Sequence, residues 1–85
     1  MKVVLYGADW CPDCTRSKRF LEENNIEYGY MDLQKDPSLA DKVVEINTKL
    51  GKGPNRSIPT IVIDDTKVLV EPSNEELGNV LGVNN

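Results

Sequence analysis

The sequence predicts an α/β fold in which a mixed four-stranded sheet is covered by helices on both faces. Short β-rich runs alternate with stretches of helical periodicity, which gives the order β-α-β-α-β-β-α over residues 1–85. The first two strands are joined by a helix, so we expect a parallel pair with a right-handed crossover. The last two strands are separated by three residues, which predicts an antiparallel hairpin. A chain of 85 residues is expected to form a single domain, residues 1–85.

The first strand and the first helix are separated by a short loop. Residues 2–6 (Lys-Val-Val-Leu-Tyr) predict a strand buried on both faces, with Tyr6 in the core at its end. Residues 7–10 form the loop, and a helix is predicted from Cys11 to about Asn24. Pro12 suits the first turn of this helix, where a backbone N–H has no helical partner.

The second strand and the second helix follow. Residues 26–33 predict the strand, in which Gly29 is the weak point. Asp36 is a suitable N-cap for the helix and Pro37 a suitable first residue. The apolar stripe of this helix consists of Leu39, Val43, Ile46 and Leu50.

The last three elements are two strands and a helix. Residues 57–63 and 67–70 predict the hairpin strands. Ser73 and Glu76 have the spacing of a capping box at the start of the last helix. Gly82 is suited to end it.

Composition restricts the class of protein. Ten Lys and Arg against 14 Asp and Glu give a net charge of −4, which argues against nucleic acid as a partner. The apolar run at residues 3–6 is too short for a membrane span or a secretory signal, so we expect a cytoplasmic protein without membrane contact.

The absence of histidine restricts the chemistry. Without an imidazole, the chain has no His ligand, His general base or Ser-His triad. Its two cysteines cannot form a four-thiolate zinc site within one chain, and we predict no metal site. The remaining chemical candidates are one dithiol and the carboxylates.

The two cysteines, Cys11 and Cys14, lie where the first strand is followed by a helix. Unpaired N–H groups and the helix dipole at that end favour a thiolate on Cys11. Residues at i and i+3 share a helix face, so Cys14 can form a disulfide with Cys11. We expect Cys11 at the exposed end to attack a foreign disulfide and the deeper Cys14 to release the product. Electrons then cycle through this pair without a bound cofactor.

Other interpretations of the cysteine pair remain open. The pair could form a structural disulfide, or half of a zinc or iron–sulfur site that a second chain completes. The rival function is an iron–sulfur cluster-binding or delivery protein. Residues 1–20 carry a net charge of +2, which is either a solvated helix face or a local positive field around the cysteines.

Pro59 is the second functional signal. It lies at the start of a strand in the segment Ser-Ile-Pro-Thr, where the missing proline N–H requires the backbone to bend. A cis bond after Ile58 would produce that bend, although trans is the commoner state of X–Pro bonds.

Two segments together resemble the thioredoxin fold and, within it, the glutaredoxins. Residues 4–21 contain Cys-Pro-x-Cys with Lys18 four positions after the second cysteine, and residues 56–60 are similar to the family's cis-proline loop. The resemblance implies thiol–disulfide oxidoreductase activity with Cys11 as the nucleophile and Cys14 as the resolving thiol. It also implies a cis Pro59 beside the nucleophile, with the backbone of Ile58 pairing with the bound thiol or peptide.

The chain departs from these families at several positions. Thioredoxins carry a buried acid where Leu5 stands. Typical glutaredoxins have a lysine at Ala8, an aromatic residue at Asp13 and Gly-Gly at residues 71–72, which are Glu-Pro here. The carboxylates of Asp13 and Glu71 are expected to repel glutathione.

The resemblance also implies contacts and partners. Trp10 and Pro12 beside the nucleophile are candidate substrate contacts, and Arg56 and Lys52 are candidates for binding a carboxylate. Electrons are expected from glutathione, another small thiol or a thioredoxin-reductase-like flavoprotein, in electron transport for cell redox homeostasis. The clients are expected to be disulfide-containing proteins, and the chain to be a monomer.

Overall fold

The computed structural model describes residues 1–83 and contains four strands and three helices. In chain order they are β1 (Val3–Gly7), α1 (Pro12–Glu23), β2 (Gly29–Asp32), α2 (Leu39–Lys49), β3 (Thr60–Ile63), β4 (Lys67–Val70) and α3 (Asn74–Leu81). This is the predicted order of elements. Among residues 1–83, no helix has the length and apolar character needed to cross a membrane.

The strands form one sheet in the order β2-β1-β3-β4. β1 pairs in parallel with β2, and α1 makes the crossover between them. β3 runs antiparallel to both β1 and β4. The sheet is therefore mixed, as predicted, and the cysteine loop follows directly from its inner strand β1.

Two apolar cores lie on the two faces of the sheet. On one face, Leu5 and Ile61 pack with Phe20 and Leu21 of α1 and with Leu77 of α3. On the other face, the apolar stripe of α2 covers side chains of β1, β3 and β4, and its residues are Leu39, Val43, Ile46 and Leu50. The helices thus lie on both faces, which confirms the predicted layers.

β2 is shorter than the sequence predicts, because residues 26–28 stay outside the sheet. Asn25 follows α1 with a positive φ of 57°, and the N–H of Ile26 donates back to the carbonyl of Leu21 at 2.9 Å. This turn holds the start of the segment against the helix. Pairing with β1 begins only at Gly29.

α2 also begins later than predicted, at Leu39 rather than Pro37. The N–H of Leu39 donates to the carbonyl of Asp36 at 3.1 Å, three residues back, so residues 36–38 form a tight turn before the helix. Asp36 accepts from the N–H of Ser38 at 3.1 Å and thus caps this turn rather than the α-helix. β3 likewise begins after Pro59, at Thr60.

The capping box of α3 is present as predicted and gives a first testable prediction. Ser73 Oγ accepts from the N–H of Glu76 at 3.1 Å, and Glu76 Oε1 accepts from the N–H of Ser73 at 3.3 Å. Ser73→Ala should lower the free energy of unfolding by about 1 kcal/mol. Thermal unfolding should then show a Tm lower by about 4–8 °C. Ser38→Ala is the control, because Ser38 makes no capping bond to α2, and an equal loss there would contradict the prediction.

Candidate active site

Cys11 forms the amino-terminal cap of α1. Its backbone is extended, Pro12 follows as the first helical residue, and the backbone N–H of Cys14 donates to Cys11 Sγ at 3.2 Å. A sulfur at this position receives a helix N–H and faces the positive end of the helix dipole. Both interactions are of the kind that a sulfur at a helix start makes with the first turn, and Cys11, not Cys14, occupies that position.

Cys11 is less open to solvent than predicted. Its exposed fraction is 6%, whereas Cys14, one turn deeper, is fully buried at 0%. Cys11 Sγ lies 4.0 Å from the carbonyl oxygen of Ile58, in the loop that precedes β3. The carbonyl of Ile58 is therefore an immediate neighbour of the sulfur.

The Ile58–Pro59 peptide bond is cis, as the family resemblance implies. Pro59 is fully buried, and its carbonyl accepts from the N–H of Glu71 at 2.8 Å. Glu71 lies between β4 and α3 and has a positive φ of 48°. The segment before α3 therefore adjoins the loop beside Cys11.

Cys14 occupies a tight apolar site against the end of β1. A Cβ placed on Gly7 would lie 2.8 Å from Cys14 Sγ, so only a glycine leaves room for the sulfur there. Burial, followed by the interaction with Cys11, raises the pKa of the Cys14 thiol to about 12. Cys14 is therefore a protonated thiol at neutral pH.

The raised pKa of Cys14 predicts unequal alkylation of the two thiols. Because only the thiolate reacts, iodoacetamide should modify one thiol per reduced native chain from about pH 7 to 9, and two after unfolding. Peptide mapping should place the native modification on Cys11. Reaction of Cys14 should increase only as the pH rises towards 12. Equal labelling of both cysteines in the folded chain would contradict this environment for Cys14.

Three of the four cations of residues 1–20 have a carboxylate as a neighbour. Arg16 Nη1 lies 2.7 Å from Asp13 Oδ1, and Lys18 Nζ lies 3.5 Å from Asp9 Oδ1. Lys2 is paired with Asp65 at 3.4 Å, beside the β3–β4 turn. The net charge of +2 over residues 1–20 already counts Asp9 and Asp13, so the field interpretation stays a prediction. The same pairing offsets the charge of Asp13, which weakens the expected repulsion of glutathione.

The predicted contact residues lie beside Cys11 in the chain or in the loop that contacts its sulfur. Trp10 is 67% exposed and, with Pro12, lines a surface groove of about 460 Å³ that runs along α1 to Asn74 of α3. Ile58 contacts the sulfur through its backbone carbonyl. Arg56 is exposed in the same loop as Ile58, two residues earlier. Tyr6, in contrast, is 8% exposed and belongs to the core, as predicted.

Asn47 is a buried polar residue near the site that the sequence interpretation did not identify. Its side chain is fully buried on α2 and bonds to the loop that carries Ile58. A signal was available, because Asn47 lies four residues after Val43 and hence on the apolar face of α2. A polar side chain in such a stripe indicates a specific internal partner.

Residues 3–68 match the glutaredoxin family. The chain belongs to this family. A relative from Mycobacterium tuberculosis that is described as a glutaredoxin is 32% identical over 75 residues, which are 88% of this chain and 83% of the relative.

Solved glutaredoxin and thioredoxin-like structures have the same architecture. The glutaredoxin from Methanosarcina mazei has a TM-score of 0.78 at 27% identity, over 95% of this chain and 78% of that one. The thioredoxin-like protein BC3987, as its T8A mutant, has a TM-score of 0.72 at 30% identity, over 96% of both chains. This glutaredoxin has the thioredoxin fold and a redox-active cysteine pair, and it is a thiol–disulfide oxidoreductase.

Proposed function

We propose that this glutaredoxin reduces protein disulfides, and mixed disulfides of small thiols, with Cys11 as the nucleophile and Cys14 as the resolving thiol. The observation that carries the proposal is the bond from the N–H of Cys14 to Cys11 Sγ at the start of α1. It stabilises negative charge on one sulfur, while burial keeps the other sulfur protonated until it is needed. We expect the chain to act as a cytoplasmic monomer.

The reaction consists of two exchanges. The Cys11 thiolate attacks one sulfur of the client disulfide, the client S–S bond breaks, and the second client sulfur leaves as a thiolate. Cys14 then attacks Cys11 Sγ and releases the first client sulfur, and its proton passes to a departing client thiolate. The client gains two electrons and becomes two thiols, one protonated by Cys14 and the other by water, and the protein is left with a Cys11–Cys14 disulfide. An external reductant returns both electrons.

The surroundings of Cys11 support binding of an extended client segment. The backbone of Ile58 offers strand-like pairing beside the sulfur. The exposed indole of Trp10 and the ring of Pro12, the chain neighbours of Cys11, offer apolar contact. Arg56 is placed in the Ile58 loop, where it could bind a client carboxylate.

The reductant is proposed to be glutathione, another small thiol or a thioredoxin-reductase-like flavoprotein. Ala8 is 1% exposed and presents no cation where typical glutaredoxins have a lysine, which favours the latter two classes. An NADPH-coupled assay that supplies each reductant in turn, with one common disulfide substrate, separates the three. Turnover with glutathione that is faster than with the others would contradict this preference.

Trapping with Cys14→Ser tests the assignment of roles. This variant keeps the nucleophile and lacks the resolving thiol, so it should accumulate a mixed disulfide between Cys11 and a client or an added peptide disulfide. Mass spectrometry should detect one adduct per chain, which is lost on reduction. The absence of any adduct, in a folded variant with a free Cys11, would contradict a resolving role for Cys14.

A further inference from the structure

We propose that Asn47 is a positioning residue that fixes the client-binding loop, residues 55–58, against α2. The inference rests on the proposed function of Cys11, because the loop matters for exchange only if Ile58 contacts the client. Asn47 has no exposed surface, and it lies on the opposite face of the sheet from α1. It therefore acts through the loop and not on the reacting sulfur.

The side-chain amide of Asn47 makes two bonds that flank Pro59. Asn47 Nδ2 donates to the carbonyl of Asn55 at 2.8 Å and to Thr60 Oγ1 at 3.3 Å. The orientation of the amide is fixed, because a backbone carbonyl only accepts and must face the nitrogen. One side chain thus joins the segment before Ile58 to the first residue of β3.

Further bonds extend this anchor to the residue next to Ile58. Thr60 Oγ1 donates to the carbonyl of Ser57 at 2.7 Å, and the N–H of Ser57 donates to Asn55 Oδ1 at 2.8 Å. The N–H of Lys52 donates to the backbone carbonyl of Asn47 at 2.7 Å. The N–H and the carbonyl of Ser57 are therefore both held by residues that bond to Asn47. The next residue is Ile58, whose carbonyl oxygen lies 4.0 Å from Cys11 Sγ.

The burial of Asn47 indicates a role beyond stability. Its Oδ1 atom is buried and has no hydrogen-bond partner among the described residues, so the side chain carries a desolvation cost. A leucine would fill a similar volume without that cost. An apolar replacement would lose the two N–H bonds, one to Asn55 of the loop and one to Thr60 of β3. The structure therefore assigns the role of Asn47 to these two bonds.

Two variants of Asn47 and one control test the proposal. Asn47→Leu keeps the volume and removes both donors, and Asn47→Ala serves if the leucine variant does not fold. Either should raise the KM for a peptide disulfide about tenfold and change kcat less than threefold. The alkylation rate of Cys11 by iodoacetamide should not fall, because this small reagent does not pair with the loop and a looser loop beside the sulfur does not hinder it. Val43→Ala, also fully buried on α2 but apolar, should leave the KM unchanged even where it lowers the Tm more.

Hydrogen exchange provides a readout that is independent of turnover. In Asn47→Leu, the amide of Ser57 should exchange at least about tenfold faster than in the wild type, while the amides of β1 keep their protection. An unchanged KM and unchanged exchange in a folded Asn47 variant would overturn the proposal, as would an equal KM increase in Val43→Ala. A wild-type chain without disulfide reductase activity would contradict the proposed function instead, and the exchange measurement would still decide whether Asn47 anchors the loop.

Discussion

Cys11→Ser is expected to reduce thiol–disulfide exchange to the background rate, a loss of about a thousandfold or more. A serine hydroxyl does not ionise near neutral pH, so the N–H of Cys14 would face a neutral oxygen in place of a stabilised thiolate. Cys14 cannot substitute, because it is fully buried and burial raises its pKa to about 12. The measurement is NADPH-coupled reduction of a protein disulfide with a reductant that supports the wild type.

The comparison with Cys14→Ser makes this test specific. Cys14→Ser retains Cys11 and should still form mixed disulfides, whereas Cys11→Ser should form none. Both variants should remain folded, because serine is smaller than cysteine and both positions are at the same end of α1. Turnover by Cys11→Ser above background, or adducts on its Cys14, would contradict the assignment of Cys11 as the nucleophile.

The sequence predicted the fold well wherever local chemistry and the tertiary arrangement agree. The capping box of Ser73 and Glu76 is a contact within one turn, so its spacing alone was sufficient. The start of β2 was wrong by three residues, because the bond from Ile26 to Leu21 depends on where α1 ends. The start of α2 was wrong because Asp36 caps a tight turn, which the pattern Asp-Pro does not distinguish from a helix.

The site was predictable in its chemistry but only partly in its environment. The Cys-x-x-Cys spacing located the two sulfurs, and the cis bond at Pro59 followed from the family resemblance rather than from residue type. The charge sum of residues 1–20 included Asp13 but could not show that this carboxylate faces Arg16. The role of Asn47 depends on partners 8 and 13 residues away, and such contacts are not visible in a local pattern.

Gly7→Ala is expected to destabilise the reduced protein and to make its disulfide harder to reduce. The new Cβ would lie 2.8 Å from Cys14 Sγ, so the sulfur has to move, and overpacking of this kind costs about 1–3 kcal/mol. We expect closing of the disulfide to move the Cys14 sulfur towards Cys11 and to reduce the overlap, so the substitution should destabilise the dithiol more than the disulfide. The redox potential should therefore become more negative, by about 30 mV for each 1.4 kcal/mol of difference between the two forms.

Gly29→Ala is the matched control, because no atom lies within 4 Å of a Cβ at this position of β2. It should change the free energy of unfolding by less than about 0.5 kcal/mol and leave the redox potential unchanged. A double-mutant cycle identifies the overlap directly. In a Cys14→Ala background the sulfur is absent, so Gly7→Ala should there cost less than half of its effect on the reduced wild type. Equal destabilisation in both backgrounds would show that the overlap is with Leu5 Cδ2 at 3.1 Å or with the Cβ atom of residue 14 at 3.2 Å, rather than with the sulfur.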